Sequence, residues 1–103
     1  MQFLVKLEYA FPFDMEGAAQ EKLLRSESVR GSELAEHGSL LAIWRIPGCR
    51  ANYGVWEARD ATELHDLVSS LPLWPYATLA VTTLARHPLA GKCRGLAPGL
   101  ACE

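Results

Sequence analysis

Three observations predict an α+β fold of one four-stranded antiparallel sheet and two helices. Alternation of apolar and polar residues, broken only at Leu4, opens the chain at 2–9; two proline-free segments, 16–37 and 60–71, carry helical character; and apolar runs at 40–46, 51–57 and 78–85 are set apart by turn residues. The chain has 103 residues, 50% of them hydrophobic, which suits one domain with a real core. Two catalytic domains, a dinucleotide-binding unit with a partner domain, or an eight-unit β/α barrel do not fit in this length.

In the first strand Phe3, Val5, Leu7 and Tyr9 share one face, and Gln2, Lys6 and Glu8 the other. Phe11-Pro12-Phe13-Asp14 breaks it, and Asp14 or a neighbour is expected to cap the first helix. The segment 16–37, rich in Ala, Leu, Glu, Lys and Arg, reads as a long helix that stops at His37-Gly38. Residues 40–46 (LLAIWRI) read as a buried strand, Pro47-Gly48 as a turn, and 51–57 (ANYGVWE) as the hairpin partner. Asp60 followed by Glu63 is a capping-box pattern, and Leu64, Leu67, Val68 and Leu71 form the apolar stripe of a second helix. Pro72 and Pro75 impose a rigid loop before the last strand, 78–85. The order β-α-β-β-α-β is the ferredoxin-like arrangement, with both helices on one face of the sheet. Residues 1–88 then form the domain, and the Gly-, Ala- and Pro-rich 89–103 a mobile tail.

Composition narrows the partners. Ten Lys and Arg against twelve Asp and Glu give a net charge of −2, with no basic run to track a phosphate backbone, so nucleic acid is not expected. No segment has the roughly 20 apolar residues that span a bilayer, and the N-terminus reaches charge too early for a signal peptide, so a cytoplasmic, membrane-free protein is expected. Cys49, Cys93 and Cys102 make an odd count without a Cys-x-x-Cys pair, and His37, His65 and His87 lack metal-ligand spacing; no metal is expected. The strands carry apolar side chains on both faces: Leu4 stands opposite Phe3 and Val5, and Trp44 and Ile46 opposite Leu41 and Ile43. A sheet apolar on both sides must be covered twice, and a second copy of the chain is the economical cover.

One residue breaks the pattern. On a helical wheel of about 100° per residue, Glu27 falls within the apolar arc of the first helix, near Leu23 and Leu34, while Ser32 falls on the solvent side with Glu21, Lys22, Arg25 and Glu36. A carboxylate there is desolvated, which raises its pKa toward values useful for proton transfer. Two readings stand: a general base in an apolar cavity, or one partner of Arg30 or Arg45 in a buried polar network. Arg45, in the apolar second strand, can hold a substrate carboxylate or pair with a glutamate at a subunit boundary. Asn52 and Tyr53 face opposite ways, so only one of them can line the same cavity, and His65 flanks the stripe of the second helix.

Several segments then resemble one family. MQFLVKLE, Leu41-Ala42-Ile43-Trp44-Arg45, Arg50-Ala51-Asn52-Tyr53-Gly54-Val55-Trp56, Glu63-Leu64-His65-Asp66-Leu67, Leu71-Pro72-Leu73-Trp74-Pro75-Tyr76 and Thr83-Leu84-Ala85-Arg86-His87-Pro88 are similar, in order, to the muconolactone isomerase family. The resemblance implies a dimeric α+β barrel subunit, assembled typically into decamers. It implies a cofactor-free isomerase that moves a ring double bond of muconolactone to give 3-oxoadipate enol-lactone, in the catechol branch of the β-ketoadipate pathway. Glu27 is then the proton shuttle, Arg45 the holder of the substrate carboxylate, Asn52 or Tyr53 a donor toward the lactone, and His65 a further contact. Related enzymes that eliminate chloride from chlorinated muconolactones, and non-catalytic barrels that bind a small apolar ligand, are the alternatives. Segment 24–32 and the tail from Leu89 match the family least.

Overall fold

The computed structural model describes residues 1–93. Its elements are β1 (Gln2–Tyr9), α1 (Gly17–His37), β2 (Leu40–Arg45), β3 (Ala51–Glu57), α2 (Ala61–Ser69) and β4 (Ala77–Leu84), with short 3-10 turns at Trp74–Tyr76 and Ala90–Lys92. The strands form one antiparallel sheet in the order β2-β3-β1-β4. This is the predicted β-α-β-β-α-β order. After β4, Ala90–Lys92 makes one short 3-10 turn; residues 94–103, the rest of the expected tail with Cys102, lie outside the described residues. Cys49 and Cys93 are exposed and free.

Alternation in β1 decides which face is covered. Phe3, Val5 and Leu7 are buried and pack with Leu34 of α1, Leu64 and Val68 of α2, Trp56, Ala58 and Leu71. Both helices thus lie on one face. The pattern of α2 is as expected: the Asp60 carboxylate accepts from the Glu63 backbone N–H at 2.9 Å, and Glu63 reaches back to the Arg59 N–H at 2.8 Å.

Two local expectations are corrected. Asp14 does not cap α1; Glu16 stands at that position without a side-chain hydrogen bond, and the entry is held by a turn from the Met15 N–H to the Pro12 carbonyl. At the other end Gly38 takes φ 88°, the left-handed conformation that closes a helix with little penalty only for glycine. In β2 the register slips between Leu40 and Ala42. The slip puts Leu40, rather than Leu41, on the helix side together with Ile43 and Arg45, because Leu40 pairs with Trp56 and Ile43 with Gly54.

Candidate active site

A cavity of about 360 Å³ lies between α1 and the sheet. Its origin is the sequence of α1 itself. The face turned to the sheet carries Ser28, Gly31, Ser32 and Ala35, and only Leu34 in the helix is buried. Small side chains leave the helix standing off the sheet, and the space is closed below by Val5, Leu7, Ile43 and Trp56. Ser32 lines the cavity and is also exposed to solvent, so the small-residue arc of α1 sits at the cavity's open edge, rotated from the arc its leucines suggest, and Leu24 is exposed.

Glu27 is half-buried at the edge of this arc. Its Oε1 accepts a hydrogen bond from the Leu73 backbone N–H at 3.0 Å. The Pro72–Pro75 loop presents that N–H, since Trp74–Tyr76 folds as a 3-10 turn behind it. Burial pushes the Glu27 carboxyl above its ordinary range, and the Leu73 N–H, which favours the charged form, pulls the other way. Among the described residues Glu27 makes no ion pair, and it is the one titratable side chain lining the cavity. Arg30 is engaged elsewhere: its Nε and Nη2 donate to Ser70 Oγ at 3.1 and 3.0 Å, and its Nη1 lies 3.7 Å from Glu33. Neither arginine expected as a partner holds the carboxylate.

The remaining candidates separate by face. Asn52 lines the cavity. Arg45 is its cross-strand partner, so it shares the cavity side of the sheet, but it stands exposed at the end of β2 and does not line the cavity wall. Tyr53 points to the opposite face, as pleating requires of the residue after Asn52, and is 39% exposed. His65 is also away from the cavity. One position past the buried Leu64, it is turned about 100° out of the stripe and meets Trp74 edge-on, with ring centroids 5.5 Å apart. Sequence reasoning missed Ser28, Gly31 and Ser32 as lining residues, and the Leu73 N–H as a partner of Glu27. Ser28, Gly31 and Ser32, with Ala35, recur at three- and four-residue spacing along one strip of the helix and were legible in principle; a backbone donor from a distant loop was not. Among the described residues no group of His, Cys, Asp and Glu is gathered to hold a metal ion, and no helix is long and apolar enough to cross a membrane.

Comparison with known proteins gives the fold a relative. The family model for muconolactone delta-isomerase matches residues 1–90. The muconolactone delta-isomerase of Cupriavidus pinatubonensis is 35% identical over 88 residues, covering 85% of this chain and 96% of its own. That of Pseudomonas aeruginosa is 36% identical over 88 residues, covering 85% and 92%. The 3.3 Å crystal structure of a muconolactone isomerase superposes with a TM-score of 0.80 at 38% identity, over 85% of this chain and 92% of that one. A match of this extent in sequence, in element order and in three dimensions has one meaning: the chain belongs to the muconolactone delta-isomerase family.

Proposed function

We propose that the chain isomerises muconolactone to 3-oxoadipate enol-lactone, in catechol breakdown, with Glu27 as the single proton shuttle. The observation that carries this reading is a carboxylate in a mostly apolar cavity, held through one oxygen by a backbone N–H and engaged by no cation among the described residues.

The chemistry asks for little more. The ring C–H at the carbon bearing the acetate arm is conjugated through the ring alkene to the lactone carbonyl. Glu27 removes that proton, and the electron pair moves through the alkene onto the carbonyl oxygen as a dienolate. Return of the proton to the carbon beside the carbonyl restores the carbonyl and leaves the double bond shifted. One carboxylate serves both transfers if the lactone is held still and water is excluded. Oε1 is fixed on Leu73, which leaves Oε2 to carry the proton. Asn52 donates toward the lactone from the sheet side. Arg45, without an ion pair among the described residues, meets the substrate carboxylate at the cavity mouth. Tyr53 and His65, off the cavity of their own chain, take no part. In this reading the chain works as a homo-oligomer, its open sheet face covered by another copy.

The test is turnover. Purified protein is expected to change the ultraviolet absorbance of muconolactone without added metal or cofactor. Glu27→Gln is expected to slow it by at least roughly a hundredfold, the scale of general acid–base catalysis. An unchanged rate in that variant would remove Glu27 from the mechanism. Chloride release from a chlorinated lactone, with no isomerisation of the plain one, would replace isomerisation by elimination.

A further inference from the structure

We infer that the indole N–H of Trp56 is a hydrogen-bond donor to the substrate, placed by Gly54 to meet the lactone carbonyl oxygen as negative charge develops on it. The inference rests on the isomerase reading above and adds a residue to it.

Trp56 is 5% exposed and lines the cavity. Among the described residues nothing accepts a hydrogen bond from its Nε1. Nor is any described side-chain nitrogen or oxygen both sealed and unpartnered, so Nε1 keeps an opening. The indole N–H of a buried tryptophan usually finds a partner, because a polar group left unpaired in apolar surroundings is costly. An unpaired donor that opens on a cavity is satisfied by what enters the cavity.

Gly54 fixes where that donor stands. A Cβ built on Gly54 would lie 2.9 Å from Trp56 Nε1 and 3.3 Å from Leu40 Cδ1. The indole therefore folds back along β3, with its N–H edge over the glycine. Gly54 pairs with Val5 on one side and Ile43 on the other, and both line the cavity. The N–H thus stands over the floor of the space that Glu27 borders from α1. It is also carried along β3 toward Asn52, which lies on the same face two residues before Gly54. Two donors converge from the sheet, opposite the base on the helix. A lactone between them has its C–H toward Glu27 and its carbonyl toward Trp56, the division that dienolate formation needs.

Trp56→Phe keeps a ring of similar shape and removes the N–H. We expect kcat to fall by on the order of a hundredfold with KM nearly unchanged, the signature of a donor that acts on the developing charge. Gly54→Ala pushes the indole off its seat and is expected to lower kcat as well. In the double variant the two losses should not add, since phenylalanine has no Nε1 to displace. A readout apart from turnover is the Trp56 indole signal in a 15N-labelled sample, assigned by its disappearance in Trp56→Phe. The saturated lactone acid, which has no ring double bond to move, is expected to shift it downfield at saturation. Normal turnover with an equal rate in Trp56→Phe would overturn the donor assignment and leave the isomerase reading intact. An indole signal unmoved by saturating lactone acid would overturn it too. A signal that moves while wild type isomerises nothing would uphold the donor and remove the isomerase reading.

Discussion

Glu27 titrates under two opposed influences, and their order determines how activity and stability follow pH. Desolvation is the larger and raises the pKa; the Leu73 N–H opposes it. No other titratable side chain among the described residues lines the cavity, Arg30 is occupied by Ser70 and Glu33, and Arg45 stands beyond the wall. In the proposed role of base Glu27 works ionised, so kcat/KM is expected to fall on acidification at a pH above the ordinary carboxylate range. Stability has the opposite slope. Between the unfolded and the raised folded pKa, the folded chain keeps a proton that the unfolded chain has released, so stability declines as pH rises through that window. Above it the ionised carboxylate remains a burden on the fold. Glu27→Gln retains an oxygen for the Leu73 N–H and removes the charge. It is therefore expected to melt higher than wild type at neutral pH, with the gain shrinking as the pH is lowered through the window. A variant that melts lower than wild type at neutral pH would contradict a desolvated carboxylate at this position.

At the scale of elements, α1 is unusual in giving the core so little. A helix of 21 residues that buries only Leu34 is also tied to the rest of the chain by polar contacts from its middle, Glu27 to the Leu73 N–H and Arg30 to Ser70, and its inward side is lined with small residues. That composition makes the cavity. Gly31 lies in the middle, and a Cβ there would meet nothing within 4 Å. Gly31→Ala is expected to raise stability by about 1 kcal/mol, the difference in helix propensity, measurable in a denaturant titration, with the cavity little changed. Gly31→Leu is expected to fill the cavity and abolish lactone binding while the chain stays folded. Retained binding in that variant would place the substrate elsewhere. The strands and α2 were legible because alternation, the Asp60–Glu63 cap and the Leu64, Leu67, Val68, Leu71 stripe each point to one structure. The site was legible in part. Glu27 stood out as a charge among leucines, but the inward arc of α1 is set by small residues that a wheel weighted by hydrophobicity ignores. The Leu40–Ala42 slip changed the facing of β2 without a glycine or proline to announce it. The Leu73 N–H reaches Glu27 across 46 positions of sequence, a contact that only tertiary structure supplies.

At the scale of the whole chain, the face of the sheet turned away from the helices keeps exposed aromatic side chains among the described residues, Trp44 and Tyr53, around a buried Val55. Cross-strand pairs put Trp44, Tyr53, Lys6 and Ala80 in one row and Ala42, Val55, Leu4 and Thr82 in the next, all turned away from the helices. Trp44 is 44% exposed on this face, and the charges of Lys6 and Glu8 are paired with each other at 2.9 Å. An aromatic and aliphatic patch whose nearby charges are already mutually neutralised suits a second copy of the same face better than it suits water. We therefore expect light scattering to give a mass larger than a dimer for the wild-type chain, with this face as one of its contacts. Trp44→Glu places two like charges into a two-fold contact and removes two indoles from it. Trp44 takes no part in the helix–sheet core, so the variant should keep its fold by circular dichroism and sediment as a smaller species. A wild-type monomer would refute the assembly, and a Trp44→Glu protein of unchanged mass would refute this face as the contact. The cavity lies on the other side of the sheet. If a dissociated variant nonetheless isomerises the lactone, one chain holds the complete site; if dissociation removes turnover while Glu27 keeps its raised pKa, the neighbouring copy contributes to the closure that excludes water.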